Sequence, residues 1–175
     1  MPEHGVPPYA GEGYLVYRFP RLEQVVVMLY RRLLYLRNPG DYRRHFREAY
    51  CQEPVVTFDG VQVSFYEKHF GHAFFEGVSY GYPYRVVPKT SFSFERAERI
   101  DWMRQALLDD DAELYWGLDR LGGGYTLKRR VCIAGGEYVV VIEYHRPDEA
   151  EFVTAFPGSA RTLRKLRHSP RWPGT

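Results

Sequence analysis

Apolar side chains near the N-terminus repeat three and four residues apart, which is the spacing of one helix face. The residues that carry this pattern are Leu22, Val25, Val26, Leu29, Leu33 and Leu36. They predict an amphipathic helix that begins near Pro20 and is stopped at Asn38-Pro39-Gly40. Shorter helices are predicted at about residues 41–50, 94–108 (with Ser93 as a cap), 111–118 and 159–167. Residues 1–18 show no clear period and are interpreted as an irregular arm.

Extended segments follow from residue 55. Val55–Phe58 and Val61–Phe65 are rich in β-branched and aromatic residues, and Asp59-Gly60 between them is a strong hairpin signal. In the last third, strands are predicted at about residues 125–133, 137–144 and 151–156, with turns at 134–136 and 145–150. The sequence therefore predicts an α+β fold, in which N-terminal helices pack on an antiparallel sheet and the last three strands form a meander.

The composition narrows the class of protein. A chain of 175 residues fits one compact unit, here divided into an arm with helices at 1–54 and a main domain at 55–175. No apolar run is long enough to span a membrane, and residues 1–4 lack a signal-peptide pattern, so we expect a cytoplasmic protein without a membrane partner. Cys51 and Cys132 form no CxxC pair, which excludes zinc ribbons and disulfide frameworks.

The net charge of +2 conceals an uneven distribution. Residues 159–175 carry several basic side chains and no acidic one, whereas acidic residues gather near 109–111 and 148–151. Because local potential matters more than the total charge, the basic segment is compatible with a polyanionic partner.

The densest group of reactive side chains consists of Lys68, His69 and His72. Imidazole titrates near neutral pH, so one histidine can accept a proton while the other donates one, and lysine can neutralise charge on a phosphate. The alternative is structural, with one histidine in the core and the other on the surface. A zinc site is the weaker option because no third ligand follows the His-x-x-His spacing. No metal and no cofactor are therefore predicted.

Two further groups are candidates for phosphate binding. Arg96 and Arg99 lie three residues apart on a predicted helix and are suitably spaced to grip a phosphate, although acidic neighbours at 95, 98 and 101 offer them competing partners. Thr154 lies in the last predicted strand, where alternation places it on one face with Phe152 and Phe156. Its hydroxyl group either binds phosphate or is simply that of a β-branched residue in a strand.

Aromatic side chains are candidates for stacking on nucleic-acid bases. Tyr80, Tyr82 and Tyr84 occupy a predicted loop at 77–92, close to Phe74-Phe75, and Tyr144 ends a predicted strand. Tyr82 and Tyr144 are accordingly candidates for contact with RNA. The alternative is that the loop tyrosines pack against the loop itself.

Four motifs occur in an order that resembles a known family. They are Lys68-His69-Phe70-Gly71-His72, then Arg96-Ala97-Glu98-Arg99-Ile100-Asp101-Trp102-Met103, then the strand Tyr138–Tyr144, then Phe152-Val153-Thr154-Ala155-Phe156-Pro157. This succession resembles the phage and polymorphic-toxin nucleases of the barnase–EndoU–colicin–RelE superfamily. The resemblance covers about residues 55–168.

The resemblance implies a toxin-like or phage-derived ribonuclease that needs no metal. In such an enzyme the ribose 2′-hydroxyl group attacks the adjacent phosphorus and leaves a 2′,3′-cyclic phosphate. The implied partners are RNA, with tRNA as one candidate, and an immunity or antitoxin protein. In this resemblance His69 and His72 are the acid–base pair. Lys68 and either Arg99 or Arg96 bind the phosphate. The Thr154 hydroxyl group binds phosphate or positions a histidine.

Two other functions are compatible with the sequence. One is a non-catalytic nucleic-acid-binding module that uses the aromatic loop and the basic C-terminal segment. The other is a structural or partner-binding protein whose apolar first helix forms the interface. His69→Ala and His72→Ala are expected to abolish cleavage with little loss of binding in a ribonuclease and to matter little in a binding module. Absence of RNA binding at low salt would favour the structural or partner-binding protein.

Overall fold

The computed structural model describes residues 15–17, 25–27, 32–77, 89–118 and 124–173. The chain divides into two compact units, residues 1–32 and residues 33–175. The first unit contains two short antiparallel strands, β1 (Leu15–Tyr17) and β2 (Val25–Val27). The second contains α1 (Pro39–Tyr50), β3 (Val55–Val56), β4 (Gln62–Ser64), α2 (Lys68–Phe74), β5 (Phe75–Gly77), β6 (Lys89–Phe92), α3 (Phe94–Ala97), α4 (Trp102–Leu108), β7 (Glu113–Leu118), β8 (Tyr125–Ala134), β9 (Tyr138–Arg146), β10 (Glu149–Pro157) and α5 (Ala160–Arg167).

The predicted amphipathic helix at residues 20–36 is wrong. Its centre forms β2, and residues 32–36 have no regular structure. Three consecutive β-branched valines at 25–27 favour an extended backbone, and this preference outweighs the helical spacing of the apolar residues. The first regular helix is α1, which begins at Pro39. Since the predicted helix is not formed, it cannot serve as a partner interface.

Six strands form the main sheet, in the order β3-β4-β10-β9-β8-β7. All neighbours are antiparallel except β4 and β10, which run parallel. The predicted Asp59-Gly60 hairpin is confirmed, because β3 pairs antiparallel with β4 around a glycine with a φ of +87°. The predicted C-terminal meander is confirmed as β8, β9 and β10. The chain is therefore an α+β protein with a mostly antiparallel sheet.

Two other helix predictions need correction. Residues 113–118 form β7, because their apolar and aromatic side chains pair with β8 instead of closing a helix of their own. The predicted helix at 94–108 is interrupted between α3 and α4, where the N–H groups of Arg99, Ile100 and Trp102 bond carbonyl groups three residues back. Ser93 lies at the start of α3, but its side chain accepts no capping hydrogen bond.

The two faces of the sheet are covered differently. On one face α1, α2 and α4 bury a cluster of aromatic rings that includes Phe46, Phe65 and Phe152. On the other face Leu163 of α5 packs against valine and isoleucine side chains of β8 and β9. This second face continues into the register partners Glu151, Glu143 and Arg129, which are partly exposed. Across the part of the chain that the structure describes, no helix has the length and apolarity needed to cross a membrane.

Candidate active site

Three cationic or imidazole side chains converge on the carboxylate of Glu151. Lys68 Nζ lies 2.7 Å from Oε1, and His69 Nε2 lies 2.7 Å from the same oxygen. His145 Nε2 lies 3.2 Å from Oε2. Glu151 belongs to β10, His145 to the end of β9, and the other two begin α2. The cluster therefore forms only when α2 packs against the β9–β10 hairpin.

The local sequence explains why these side chains meet. Pro147-Asp148 forms a tight turn, so that β9 and β10 run as direct neighbours with Glu151 opposite Glu143. The α2 helix buries Phe70, Ala73 and Phe74 and packs on β10 with its first turn at the level of Glu151. Because α2 is helical from Lys68, His69 and His72 lie about one turn apart.

His69 is a buried member of the cluster, with an exposed fraction of 7%. The Tyr66 N–H group donates to its Nδ1 at 3.0 Å, so the neutral ring carries its proton on Nε2 and donates it to Glu151. Burial lowers the pKa of His69, and the neighbouring Glu151 carboxylate opposes this only in part. Both ring nitrogens are engaged, so in this structure His69 orients Glu151. A direct catalytic role for His69 stays a prediction.

Glu151 is ionised over the whole physiological range. Burial raises the pKa of its carboxyl group, but hydrogen bonds from Lys68, His69 and His145 outweigh burial and lower that pKa to about 2. Because the carboxylate accepts from each partner, the His145 nitrogen that faces it must carry a proton. In a neutral His145 ring the other nitrogen, Nδ1, is then the one that can accept a proton.

These side chains line one pocket with a volume of about 360 Å³. Its walls are formed by Lys68, His69, His72, Glu143, His145, Glu151, Phe152 and Val153. Lys68 and His145 are well exposed, at 67% and 58% of their side-chain surface. Glu143 is held by the Arg129 guanidinium group, which donates to its carboxylate. The two carboxylates are thus balanced by two cations, Glu151 by Lys68 and Glu143 by Arg129. Protonation of one histidine therefore gives the pocket a net positive charge.

The structure brings together the three side chains of the KH motif, Lys68, His69 and His72, as lining residues of this pocket. The predicted arginines do not line it. Arg96 pairs with Glu76 at 2.9 Å and donates to a backbone carbonyl of α2. Arg99, in the turn after α3, donates to the carbonyl group of Glu95 in α3 at 2.6 Å.

Thr154 and the two candidate tyrosines also lie elsewhere. Phe152 is opposite Ile142 and Thr154 is opposite Val141, so a bulge at Val153 turns Phe152 and Thr154 to opposite faces. The predicted shared face of residues 152, 154 and 156 is therefore wrong for Phe152. Tyr144 stacks on Trp172, with ring centroids 5.2 Å apart, on the face away from Glu151. Tyr82 lies outside the described residues, as do Tyr80 and Tyr84.

The sequence reasoning missed Glu151, His145, Glu143 and Arg129. A signal for two of them exists, because Glu143 and Glu151 each border an apolar run and lie at similar distances before and after the Pro147-Asp148 turn. Residues at such positions face each other in a hairpin. Their meeting with α2 has no local signal.

Among the described residues, only the carboxylates of partly buried Asp109 and of exposed Asp110 and Asp111 bring three potential metal-ligand atoms within 4.8 Å of one another. In the Glu151 pocket the carboxylate already has the Lys68 ammonium group as its cation. Comparison of the chain with protein-family models, with curated proteins and with solved structures found no match.

Proposed function

We propose that this protein cleaves RNA without a metal ion, in the pocket around Glu151. The observation that carries the proposal is that one open pocket contains three imidazole groups, an ammonium group and two carboxylates, one of them the ionised Glu151. Cleavage by the ribose 2′-hydroxyl group needs a base, an acid and a cation near the phosphate, and these groups meet that need.

The proposed reaction assigns one task to each accessible group. His145 Nδ1 accepts the proton of the 2′-hydroxyl group. Its Nε2–H group continues to donate a hydrogen bond to Glu151, and the carboxylate stabilises the imidazolium that forms. The 2′-oxygen bonds to phosphorus, and the bond from phosphorus to the 5′-oxygen breaks. His72 donates a proton to that 5′-oxygen. Lys68 leaves Glu151 for the phosphate and neutralises the charge on its oxygens.

The test is cleavage of single-stranded RNA in the presence of EDTA, with detection of the 2′,3′-cyclic phosphate. His145→Ala and His72→Ala each lower kcat by about 100-fold or more, because each removes one proton-transfer group. His168→Ala is the matched control, since His168 is an exposed histidine at the end of α5, outside the pocket. RNA that stays intact with the unaltered protein, or cleavage that is equal in all three variants, overturns the proposal.

A non-catalytic nucleic-acid-binding module is the second candidate, and α5 favours it. Arg161, Arg164 and Lys165 are exposed along this helix, and residues 159–173 contain no acidic side chain. A surface of this kind binds a polyanion with strong salt dependence. This candidate predicts salt-sensitive binding of RNA that the His145→Ala substitution leaves unchanged, together with no cleavage by the unaltered protein.

A further inference from the structure

A second cavity adjoins the Glu151 pocket. Its volume is about 500 Å³, and it is lined by Arg43, Lys68, Gly71, His72 and Phe75. Lys68 and His72 also line the first pocket, so the two cavities share a wall formed by α2. The two differ in charge, because the first pocket includes two carboxylates whereas none of the five residues around the second is acidic. An anion is therefore better accommodated in the second cavity.

Arg43 is placed to bind such an anion. Its guanidinium group lies over the buried Phe70 ring, 4.7 Å from the centroid, which restricts its position. Its salt bridge is to Glu67 at 3.5 Å, and both side chains are about half-exposed. Exposed pairs of this kind contribute little free energy, so a phosphate group can replace the carboxylate. Guanidinium binds phosphate through two parallel hydrogen bonds.

Phe75 supplies an aromatic surface at the same cavity. Its ring is half-buried and makes edge contacts with Phe92 and Phe70, at centroid distances of 5.3 Å and 6.3 Å. These contacts fix the orientation of the ring. Gly71 leaves the surface of α2 open, because a Cβ atom at this position would meet nothing within 4 Å. The space beside Phe75 is therefore not filled from the helix.

We propose that the second cavity is a nucleotide subsite, which binds a phosphate between Arg43 and Lys68 and a base against Phe75. This inference rests on the proposed function. The subsite holds the nucleotide next to the cleaved phosphate, because Lys68 and His72 border both cavities. A base reaches Phe75 only when it is unstacked from its neighbours. The substrate class is therefore single-stranded RNA, and base-paired RNA is excluded from the subsite.

Binding is measured separately from cleavage with a short fluorescein-labelled oligonucleotide whose 2′-hydroxyl groups are methylated and so cannot attack phosphorus. Fluorescence anisotropy is recorded over a range of salt concentrations. Arg43→Ala weakens binding and lowers the slope of log affinity against log salt by about 0.7, the value for one lost phosphate contact on a single strand. Phe75→Leu weakens binding by about fivefold or more and leaves the slope unchanged, because it removes stacking and no charge.

Three further variants serve as controls. Phe75→Tyr keeps an aromatic ring and retains the affinity of the unaltered protein. Gly71→Gln extends a side chain from α2, where its Cβ atom meets nothing within 4 Å, and weakens binding, while thermal unfolding confirms that the variant is folded. Arg44→Ala removes the neighbouring exposed arginine of α1, which pairs with Asp41, and leaves both affinity and slope unchanged.

The outcomes separate this subsite from the proposed cleavage. If the unaltered protein cleaves RNA but Arg43→Ala and Phe75→Leu bind like Arg44→Ala, the subsite is wrong and the cleavage proposal stands. If these variants weaken binding but no RNA is cleaved, the subsite stands and the cleavage proposal is wrong. Failure of the unaltered protein to bind the oligonucleotide, or equal binding of a hairpin duplex, overturns the subsite.

Discussion

Two ion-pair clusters lie on opposite faces of the main sheet, and they differ in how deeply the basic side chain is buried. In the first, Glu151 is 22% exposed and its partner Lys68 is 67% exposed. In the second, Arg130 of β8 pairs with Asp59 of the β3–β4 hairpin, and the arginine side chain is only 2% exposed. Both clusters join a carboxylate to a basic group from a distant element, but only the first can exchange its partner with solvent.

In the second cluster the arginine is enclosed by its neighbours, whereas the Asp59 side chain is 33% exposed. Arg130 donates to Asp59 at 2.5 Å, and its guanidinium group lies near the rings of Tyr144 and Trp172, 5.7 Å and 5.9 Å from their centroids. Thr57 donates to the other oxygen of Asp59. Burial raises the pKa of Asp59, but the Thr57 and Arg130 hydrogen bonds outweigh it and hold that pKa below its usual value.

The comparison shows that burial decides what an ion pair can do. A guanidinium group that is 2% exposed is left charged and unpaired in the interior when it loses its carboxylate, so the Arg130–Asp59 pair keeps the hairpin on the sheet. The exposed ammonium group of Lys68 can leave Glu151 at little cost and bind a phosphate. The chemistry proposed above therefore belongs to the exposed cluster.

The largest expected effect is on the buried cluster. Asp59→Ala leaves Arg130 charged and unpaired in the interior, and it lowers the free energy of unfolding by about 3 kcal/mol. Urea denaturation monitored by tryptophan fluorescence measures the change. Asp110→Ala is the control, since Asp110 is exposed in a turn, and it changes stability by less than about 0.5 kcal/mol. Similar losses in the two variants would contradict the structural role of the pair.

A smaller effect is expected from Glu151 as a function of pH. Its folded-state pKa is lowered to about 2 from 4.5, so its stabilisation is complete above about pH 4.5 and is lost as the pH falls toward 2. Over this pH window the free energy of unfolding of the unaltered protein falls by about 2 kcal/mol more than that of Glu151→Gln. This value is smaller than the full pKa shift corresponds to, because two of the partners are exposed to solvent.

The measurement for Glu151 is urea denaturation at a series of pH values between 7 and about 2.5. The difference between the two proteins isolates Glu151 from other carboxyl groups, such as Asp59 and Glu113. Glu149→Gln on the same strand is the control, because its exposed carboxylate pairs only with exposed Arg146. A constant difference between the unaltered protein and Glu151→Gln across the window would show that the cluster does not hold this carboxylate ionised.

The smallest expected effect on stability is that of Lys68. Lys68→Ala removes an exposed salt bridge and changes the free energy of unfolding by less than about 0.5 kcal/mol. The same substitution lowers RNA cleavage by about 100-fold, because it removes the cation near the phosphate. Lys128→Ala, which removes an exposed lysine of β8 outside the pocket, alters neither quantity. If Lys68→Ala lowered stability and left cleavage unchanged, the Lys68–Glu151 pair would be structural, and the distinction between the two clusters would be wrong.

Those parts of the fold with local signals were predictable from the sequence. Asp59-Gly60 specifies its hairpin, and the turns after β8 and β9 specify the meander, because each connects neighbours in sequence. The errors lie where two local patterns compete. Val25–Val27 satisfied a helical spacing and an extended preference at once, and Glu113–Leu118 became a strand through pairing with β8.

The candidate site was predictable only in its α2 portion. Lys68, His69 and His72 are close in sequence, so their spacing alone suggested a common site. The carboxylate that joins them, Glu151, is 82 positions from His69 and reaches it only through packing of α2 on β10. Arg96 and Arg99 looked equally suitable, but a tertiary ion pair with Glu76 engages Arg96, and a local hydrogen bond to the Glu95 carbonyl engages Arg99.

The segment after α5 has a consequence for association of the protein with other β-sheets. Pro170 and Trp172 exchange backbone hydrogen bonds with Trp116 and Leu114, along the outer side of β7. At the opposite end of the sheet, β3 is only two residues long. The outer strand β7 is therefore occupied and the outer strand β3 is short, so neither offers a long row of free backbone groups for edge-to-edge aggregation. The C-terminal segment in this way protects the protein against polymerisation through its own sheet.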